Sequence, residues 1–423
     1  MKNSIKKIEA LEILDSRGNP TVQVMITLSN GLFAKASVPS GASTGIHEAL
    51  ELRDGDKKRY GGKGVLKVIK NITNKMQPLL IGHDINDLQG IDKIMLAKDG
   101  TDNKTKFGAN AILGVSLAAA RVGALANGRP LYMHLRKVYK LKYSKYLLPT
   151  PLSNIVNGGQ HADNSLDWQE FWIIPKGIKK YPEALRACAE VFHALSGEFK
   201  AKGYSTNVGD EGGYAPNVKN AKEVWDTVIK AIKKVGYRPG KDIYLGMDAG
   251  ASEFYNSNTN KYELKGENIN ASYTKLLSIY EGWLKNYPIL ALEDPFDQDD
   301  WNAWKEITTN RKFKKIALIG DDFFVTNVKR LEKGIKEKTA NAILIKVNQI
   351  GSLSETIDTI KLAQKNNYQI AISHRSGETT DDFIADLAVA VNAEFIKTGA
   401  TSRGERMVKY NRLLEIYKQL NDK

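Results

Sequence analysis

The chain has 423 residues, 42% of them apolar and 26% charged, the composition of a globular protein long enough to bury a sizeable core. Its single cysteine, Cys188, excludes an intramolecular disulfide, and no apolar run approaches the roughly 20 residues that cross a bilayer. The 62 basic against 48 acidic residues leave a formal charge of +14, which favours anionic partners such as phosphorylated substrates, nucleic acid or acidic surfaces.

Met1–Arg17 carries lysines but lacks the continuous apolar stretch of a signal peptide, so a cytoplasmic location is expected. Ile8–Leu14, Thr21–Leu28 and Phe33–Val38 are apolar clusters separated by turn residues at Arg17–Pro20 and Ser29–Gly31, which predicts a short antiparallel meander. Pro39–Gly45 is small and rich in hydroxyls, as a mobile lid would be; no GK[ST] lysine follows, which argues against a nucleotide P-loop. Helical spacing appears at Val65–Leu80, Leu88–Lys98 and Asn110–Ala126. Arg136–Tyr146 then alternates basic residues with Tyr139, Tyr143 and Tyr146. Such interleaving can hold single-stranded nucleic acid, but a solvated connection between two domains is the plainer expectation. In Pro182–Lys202 the apolar spacing again predicts a helix, with Cys188 on its buried side.

Beyond residue 240 the rhythm changes. Six short apolar runs end on Asp248, Glu293, Asp321, Lys346, His374 and Lys397, at intervals of 45, 28, 25, 28 and 23 residues. Intervals in the twenties suit β/α units, and near-continuous apolar strands suit a parallel sheet covered on both faces. Such units closing on themselves make an α/β barrel, where catalytic groups lie at the C-terminal strand ends.

Taken singly, Asp248, Glu293 and Asp321 could each be a helix N-cap. Together on successive strands they would repel unless a cation neutralised them, and hard oxygen ligands suit Mg²⁺. Lys346 lies in an otherwise apolar strand, where desolvation and nearby cations would lower its pKa and make it a base; an ion pair with one of the acids is the alternative. Lys397 offers a second cation for a substrate anion. His374-Arg375-Ser376-Gly377 combines an arginine fork with a hydroxyl and an open backbone, good phosphate chemistry. Gly209–Gly213 places Asp210 and Glu211 between glycines that let an acid project into a cleft, and Glu170 precedes another apolar run.

These residues belong to motifs that occur in one order along the chain: DSRGNPTV (15–22), SGASTG (40–45), FGANAILGVS (107–116), NGGQHADN (157–164), QEF (169–171), GDEGGYAPN (209–217), EDPFDQDDW (293–301), KVNQIGS (346–352), SHRSGET (373–379) and KTGA (397–400). In this set the chain resembles enolases from about Ile8 to Leu420. The resemblance implies an irregular β/α (TIM-like) barrel over residues 141–423, opened by an antiparallel hairpin, Leu148–Ile155 with Gln169–Ile174. It also implies an N-terminal α+β capping domain over residues 1–140 carrying the lid. The implied reaction is the reversible dehydration of 2-phosphoglycerate to phosphoenolpyruvate in glycolysis and gluconeogenesis. Two Mg²⁺ per site are implied, one on Asp248, Glu293 and Asp321 and a second bound with substrate and Ser43. Lys346 would take the C2 proton, and Glu211, assisted by Glu170, would protonate the departing hydroxyl. Arg375 and Ser376 would hold phosphate and Lys397 the carboxylate, with Gln169, His161 and His374 lining the site. A homo-oligomer is implied, as a dimer or an octamer of dimers. A reading of another class uses the basic surface to bind nucleic acid or a host protein, with secondary display at the cell surface. Gln160, Asn207 and Thr401–Gly404 depart from the usual pattern, which bears on loop packing near His161.

Overall fold

In the computed structural model, which describes residues 3–41 and 45–422, the expected meander is present. Strands β1 (Ile5–Leu14), β2 (Pro20–Leu28) and β3 (Phe33–Ser37) pair antiparallel in sequence order. One face of β2 is buried through Val22, Val24, Ile26 and Leu28, the period-2 pattern that a half-covered sheet requires. The helix Ala109–Ala126 packs on that face, with 15 of its 18 residues buried. A Cβ at Gly114 would stand 2.6 Å from a Val24 methyl, so only glycine lets helix and sheet approach this closely. Among the described residues this is the one helix long and apolar enough to cross a membrane, and it is instead a core helix of the N-terminal unit. The helix expected over 65–80 is interrupted by a π segment, Ile72–Met76, just before Pro78. Proline lacks the N–H that would close a regular turn there, and the wider turn accommodates it.

The second sheet runs β4 (Thr150–Pro151), β15 (Phe395–Lys397), β14 (Gln369–Ser373), β13 (Ala342–Ile345), β12 (Ala317–Gly320), β11 (Ile289–Glu293), β7 (Tyr244–Asp248), β6 (Glu170–Ile174) and β5 (Ser153–Asn157). Only Leu152 separates β4 from β5, so the two ends of this order are one stretch of chain and the sheet closes into a barrel. From β7 through β15 and on to β4 every pairing is parallel, whereas β6 runs antiparallel to both neighbours. The expected irregular opening is therefore present, with one refinement: the stretch expected as a single hairpin strand also pairs with β15 through β4. A small antiparallel sheet, β8 (Tyr255–Asn256), β9 (Lys261–Leu264) and β10 (Ile269–Ala271), is inserted after β7 and accounts for the long 248–293 interval.

The N-terminal unit is bolted to the barrel by polar contacts. Ser40 and Gly377 exchange backbone hydrogen bonds of 2.7 and 2.9 Å, and Arg121 pairs with Asp381 and Asp382. Arg136–Tyr146 keeps Lys137, Lys140, Lys142 and Lys145 exposed, as a solvated connection would, but its first residue is drawn inside. Arg136 is buried, donates to the carbonyls of Val389, Ala390 and Lys145, and lies 3.7 Å from the Tyr146 ring centre; Tyr139 is buried as well. A guanidinium carries five donors, and the C-terminal end of Phe383–Ala390 supplies the carbonyls that draw it inward. That engagement removes two members of the basic and aromatic array from the surface.

Candidate active site

The C-terminal strand ends converge as barrel geometry requires. Asp248 and Glu293 close β7 and β11, while Asp321 and Lys346 directly follow β12 and β13. His374, Arg375 and Ser376 follow β14, and Lys397 closes β15. Glu170 opens β6 after Gln169, His161 sits in the turn Gly159–His161, and Glu211 lies in the glycine loop. At Gly212 that loop adopts φ +86, where a Cβ would also stand 2.8 Å from the Ser402 carbonyl. His161, Gln169, Glu170, Glu211, Asp248, Lys346, His374, Arg375, Ser376 and Lys397 line one cavity. Ser43 lies outside the described residues.

Lys397 is the electrostatic hub. Its Nζ stands 2.7 Å from Glu293, 3.0 Å from Glu170 and 3.1 Å from Asp248, all four side chains being buried. Burial opposes its charge, but Asp248, Glu170 and Glu293 hold it well above the usual lysine range. Burial together with Asp248 pushes Glu293 well up, and its Oε2 is buried with no hydrogen-bond partner. A buried oxygen left unpaired beside two further carboxylates is a position short of positive charge. An all-oxygen donor set of Asp248, Glu293 and Asp321 therefore fits a hard divalent cation. Ligand atoms converge within 4.8 Å of one another in two groups among the described residues, Asp294 with Asp321 and Asp322, and His161 with Glu170 and Glu211. Asp294 accepts the backbone N–H groups of Asp321 and Asp322 at 2.9 and 2.8 Å, which braces the turn carrying Asp321.

Lys346 forms an ion pair with Asp321, whose other oxygen accepts from Gln349 at 2.8 Å. Burial would lower the ammonium, yet Asp321 outweighs it and Lys346 is raised, the opposite of the depressed lysine expected. The ion-pair alternative is thus the arrangement seen.

Two histidines flank the acids. His161 Nδ1 lies 3.5 Å from Glu170 Oε1 and 3.6 Å from Glu211 Oε1, with Gln169 Nε2 2.8 Å from its other nitrogen. His374 Nε2 stands 3.2 Å from Glu211 Oε2 without hydrogen-bonding to it, and that oxygen accepts from Asn154 at 3.0 Å. Burial drives His161 down and His374 to about 3, so both rings are neutral near pH 7. Burial raises Glu170 well above the carboxylate range, reinforced by Glu211; Glu211 itself, against its burial, is held well down by the polar ring edges of His161 and His374 and by the Lys397 ammonium. Two adjacent acids pushed apart in this way divide one proton between unequal partners.

Arg375, the fork expected for an anion, pairs with Glu48 and donates to Asn348. Glu48, Asp294, Gln349, Asn154 and Arg406 are residues that sequence reasoning did not single out. Asp294 stands inside EDP and Glu48 directly after the lid, but nothing in their spacing distinguishes them from surface acids. Of the atypical positions, Gln160 turns outward to Glu253 and leaves His161 buried.

The comparisons agree with this geometry. Residues 5–135 match the family model for the enolase N-terminal domain, and residues 145–423 match that for the enolase C-terminal TIM barrel domain. An enolase of Elusimicrobium minutum (strain Pei191) is 53% identical over 421 residues, covering 100% of this chain and 97% of that protein.

Proposed function

The chain belongs to the enolase family, and from that premise we propose that it is a carbon–oxygen lyase converting 2-phosphoglycerate to phosphoenolpyruvate and back. The observation that carries the reading is one buried cavity lined by both a strand-end lysine, Lys346, and an acid on a glycine loop, Glu211, with Arg375 and Ser376 beside them. Lys346 Nζ takes the proton from C2, whose electron pair moves toward the carboxylate. That pair then forms the C2=C3 bond as the C3–O bond breaks, and Glu211 delivers the proton that lets the oxygen leave as water. Glu170, the proton-rich member of the acid pair, replenishes Glu211 across His161. Arg375 and Ser376 hold the phosphate and Lys397 the carboxylate, while Gln169, His161 and His374 position the acids. Asp248, Glu293 and Asp321 would hold Mg²⁺, which supplies positive charge against the doubly charged intermediate; a second ion bound with substrate belongs to the same proposal. With Asp321 engaged in that way, Lys346 gives up the partner that keeps it charged.

The reading divides the chain near residue 140 into a capping unit and a catalytic barrel. It includes assembly as a homodimer, as the family resemblance implies. Phosphoenolpyruvate formation, followed by ultraviolet absorbance with Mg²⁺ and then with chelator, tests the function. Activity that requires Mg²⁺ is the expected result; no activity in folded, Mg²⁺-loaded protein overturns it.

A further inference from the structure

Arg406 stands in the first turn of the C-terminal helix Gly404–Asn421 and has no exposed surface. Its Nη1 is 2.8 Å from His374 Nδ1 and 2.6 Å from the Arg375 carbonyl; its Nη2 donates to the carbonyls of Ser376 at 2.6 Å and Asp210 at 2.8 Å. A guanidinium only donates, and it stays charged at every pH a protein survives. His374 Nδ1 must therefore present its lone pair, and the proton of the neutral ring falls on Nε2, the nitrogen 3.2 Å from Glu211 Oε2.

We propose that Arg406 is a positioning residue that locks His374 in the Nε2–H tautomer, so that the ring turns an N–H edge toward Glu211 and cannot take its proton. Asn154 donates to the same oxygen. Glu211 Oε2 thus faces two N–H groups, and the proton that Glu211 gives up is carried on Oε1, the oxygen facing His161. The carbonyls that Arg406 gathers belong to the loop after β14 and to the glycine loop of Glu211, so one side chain sets both the tautomer and the spacing of the two groups. Burial that keeps His374 neutral to about pH 3 agrees with this. The role rests on the reading of Glu211 as the proton donor, but the tautomer does not.

The test is nuclear magnetic resonance of the full chain labelled with [¹⁵N]histidine, with His374 identified by its loss in His374→Gln. Long-range proton–nitrogen correlations report which ring nitrogen is protonated. In wild type, Nε2–H is expected with no titration between about pH 5.5 and 9, outside the ordinary histidine behaviour. In Arg406→Met the proton is expected to spread to Nδ1 and the ring to titrate within that range. The same variant is expected to lose about 100-fold in kcat with KM changed less than about threefold, as when one placed donor is removed. Combined with His374→Gln, Arg406→Met should cost less than about threefold more, because the two act as a unit. Protonation of Nδ1 in wild type overturns the proposal even if no variant folds. An unchanged tautomer in Arg406→Met, or losses that multiply fully in the double variant, overturn it too. A wild type with no lyase activity removes the kinetic arm together with the proposed function, and the resonance measurement still decides the tautomer.

Discussion

Arg375 and Glu48 meet fork to fork, Nη1 to Oε2 at 2.9 Å and Nη2 to Oε1 at 3.1 Å, in a pair that is nearly closed to solvent. Glu48 also accepts the backbone N–H of Gly45 at 3.1 Å. The arginine expected to read a phosphate is thus already balanced by a carboxylate from the N-terminal unit, and a phosphate bound there would have to share it.

Removing that carboxylate exposes the consequence. Glu48→Ala removes the carboxylate that balances a buried guanidinium and is expected to cost about 3 kcal/mol of stability. Inorganic phosphate should then raise the Tm of the variant more than that of wild type, because it supplies the missing anion. Equal phosphate responses in thermal melts would refute the idea that Glu48 and phosphate compete for Arg375.

The two chemical steps are separable by substitution. Lys346→Ala is expected to stop exchange of the C2 proton with deuterated solvent and to lower kcat by about 10³-fold or more, the contribution of a placed general base. Glu211→Gln is expected to block phosphoenolpyruvate formation while C2 exchange continues. Loss of exchange in both variants, measured by proton resonance of 2-phosphoglycerate, would mean that one residue does not act before the other.

The surplus of carboxylates around Lys397 predicts a metal-linked stability. Adding Mg²⁺ to chelated protein should raise Tm, by about 2.7 kcal/mol of linkage at a concentration 100 times Kd. Asp248→Asn and Glu293→Gln should each reduce that increment. A Tm indifferent to Mg²⁺ in wild type, by calorimetry without substrate, would count against these residues as its ligands.

Asp92 gives a pH dependence far from the chemistry. Its Oδ2 accepts from the Ser354 backbone at 2.9 Å and hydroxyl at 2.6 Å, joining the N-terminal unit to the barrel, while burial raises its pKa to about 6. The folded state therefore keeps a proton that the unfolded chain loses near 3.8, the ordinary value. Between those two pH values stability from this group falls as pH rises, by about 3 kcal/mol in all. Asp92→Asn keeps the acceptor and removes the titration, so its stability relative to wild type should climb from pH 4 to pH 7. A constant difference in denaturant midpoints over that range would contradict this.

Much of the site could be read from the chain because barrel strands end where their chemistry begins. The apolar runs stopping at Asp248, Glu293, Asp321, Lys346, His374 and Lys397 are the observed strands to within a residue or two. Cys188 was legible as a buried thiol, and burial indeed pushes it up to about 12. Arg136 was not legible: a basic residue among tyrosines reads as solvated until the helix that offers it carbonyls is folded against it.

Composition, the period of the apolar runs and the residues at their ends determined the fold class and the kind of chemistry, because burial and strand geometry act locally along the chain. Tertiary structure alone decided which atoms face one another. Lys346 is held charged by Asp321, twenty-five residues away, and His374 receives its tautomer from Arg406, thirty-two residues on. Protonation follows from distances of about 3 Å between charges and donors, and such distances exist only after closure of the barrel has brought separate strand ends together.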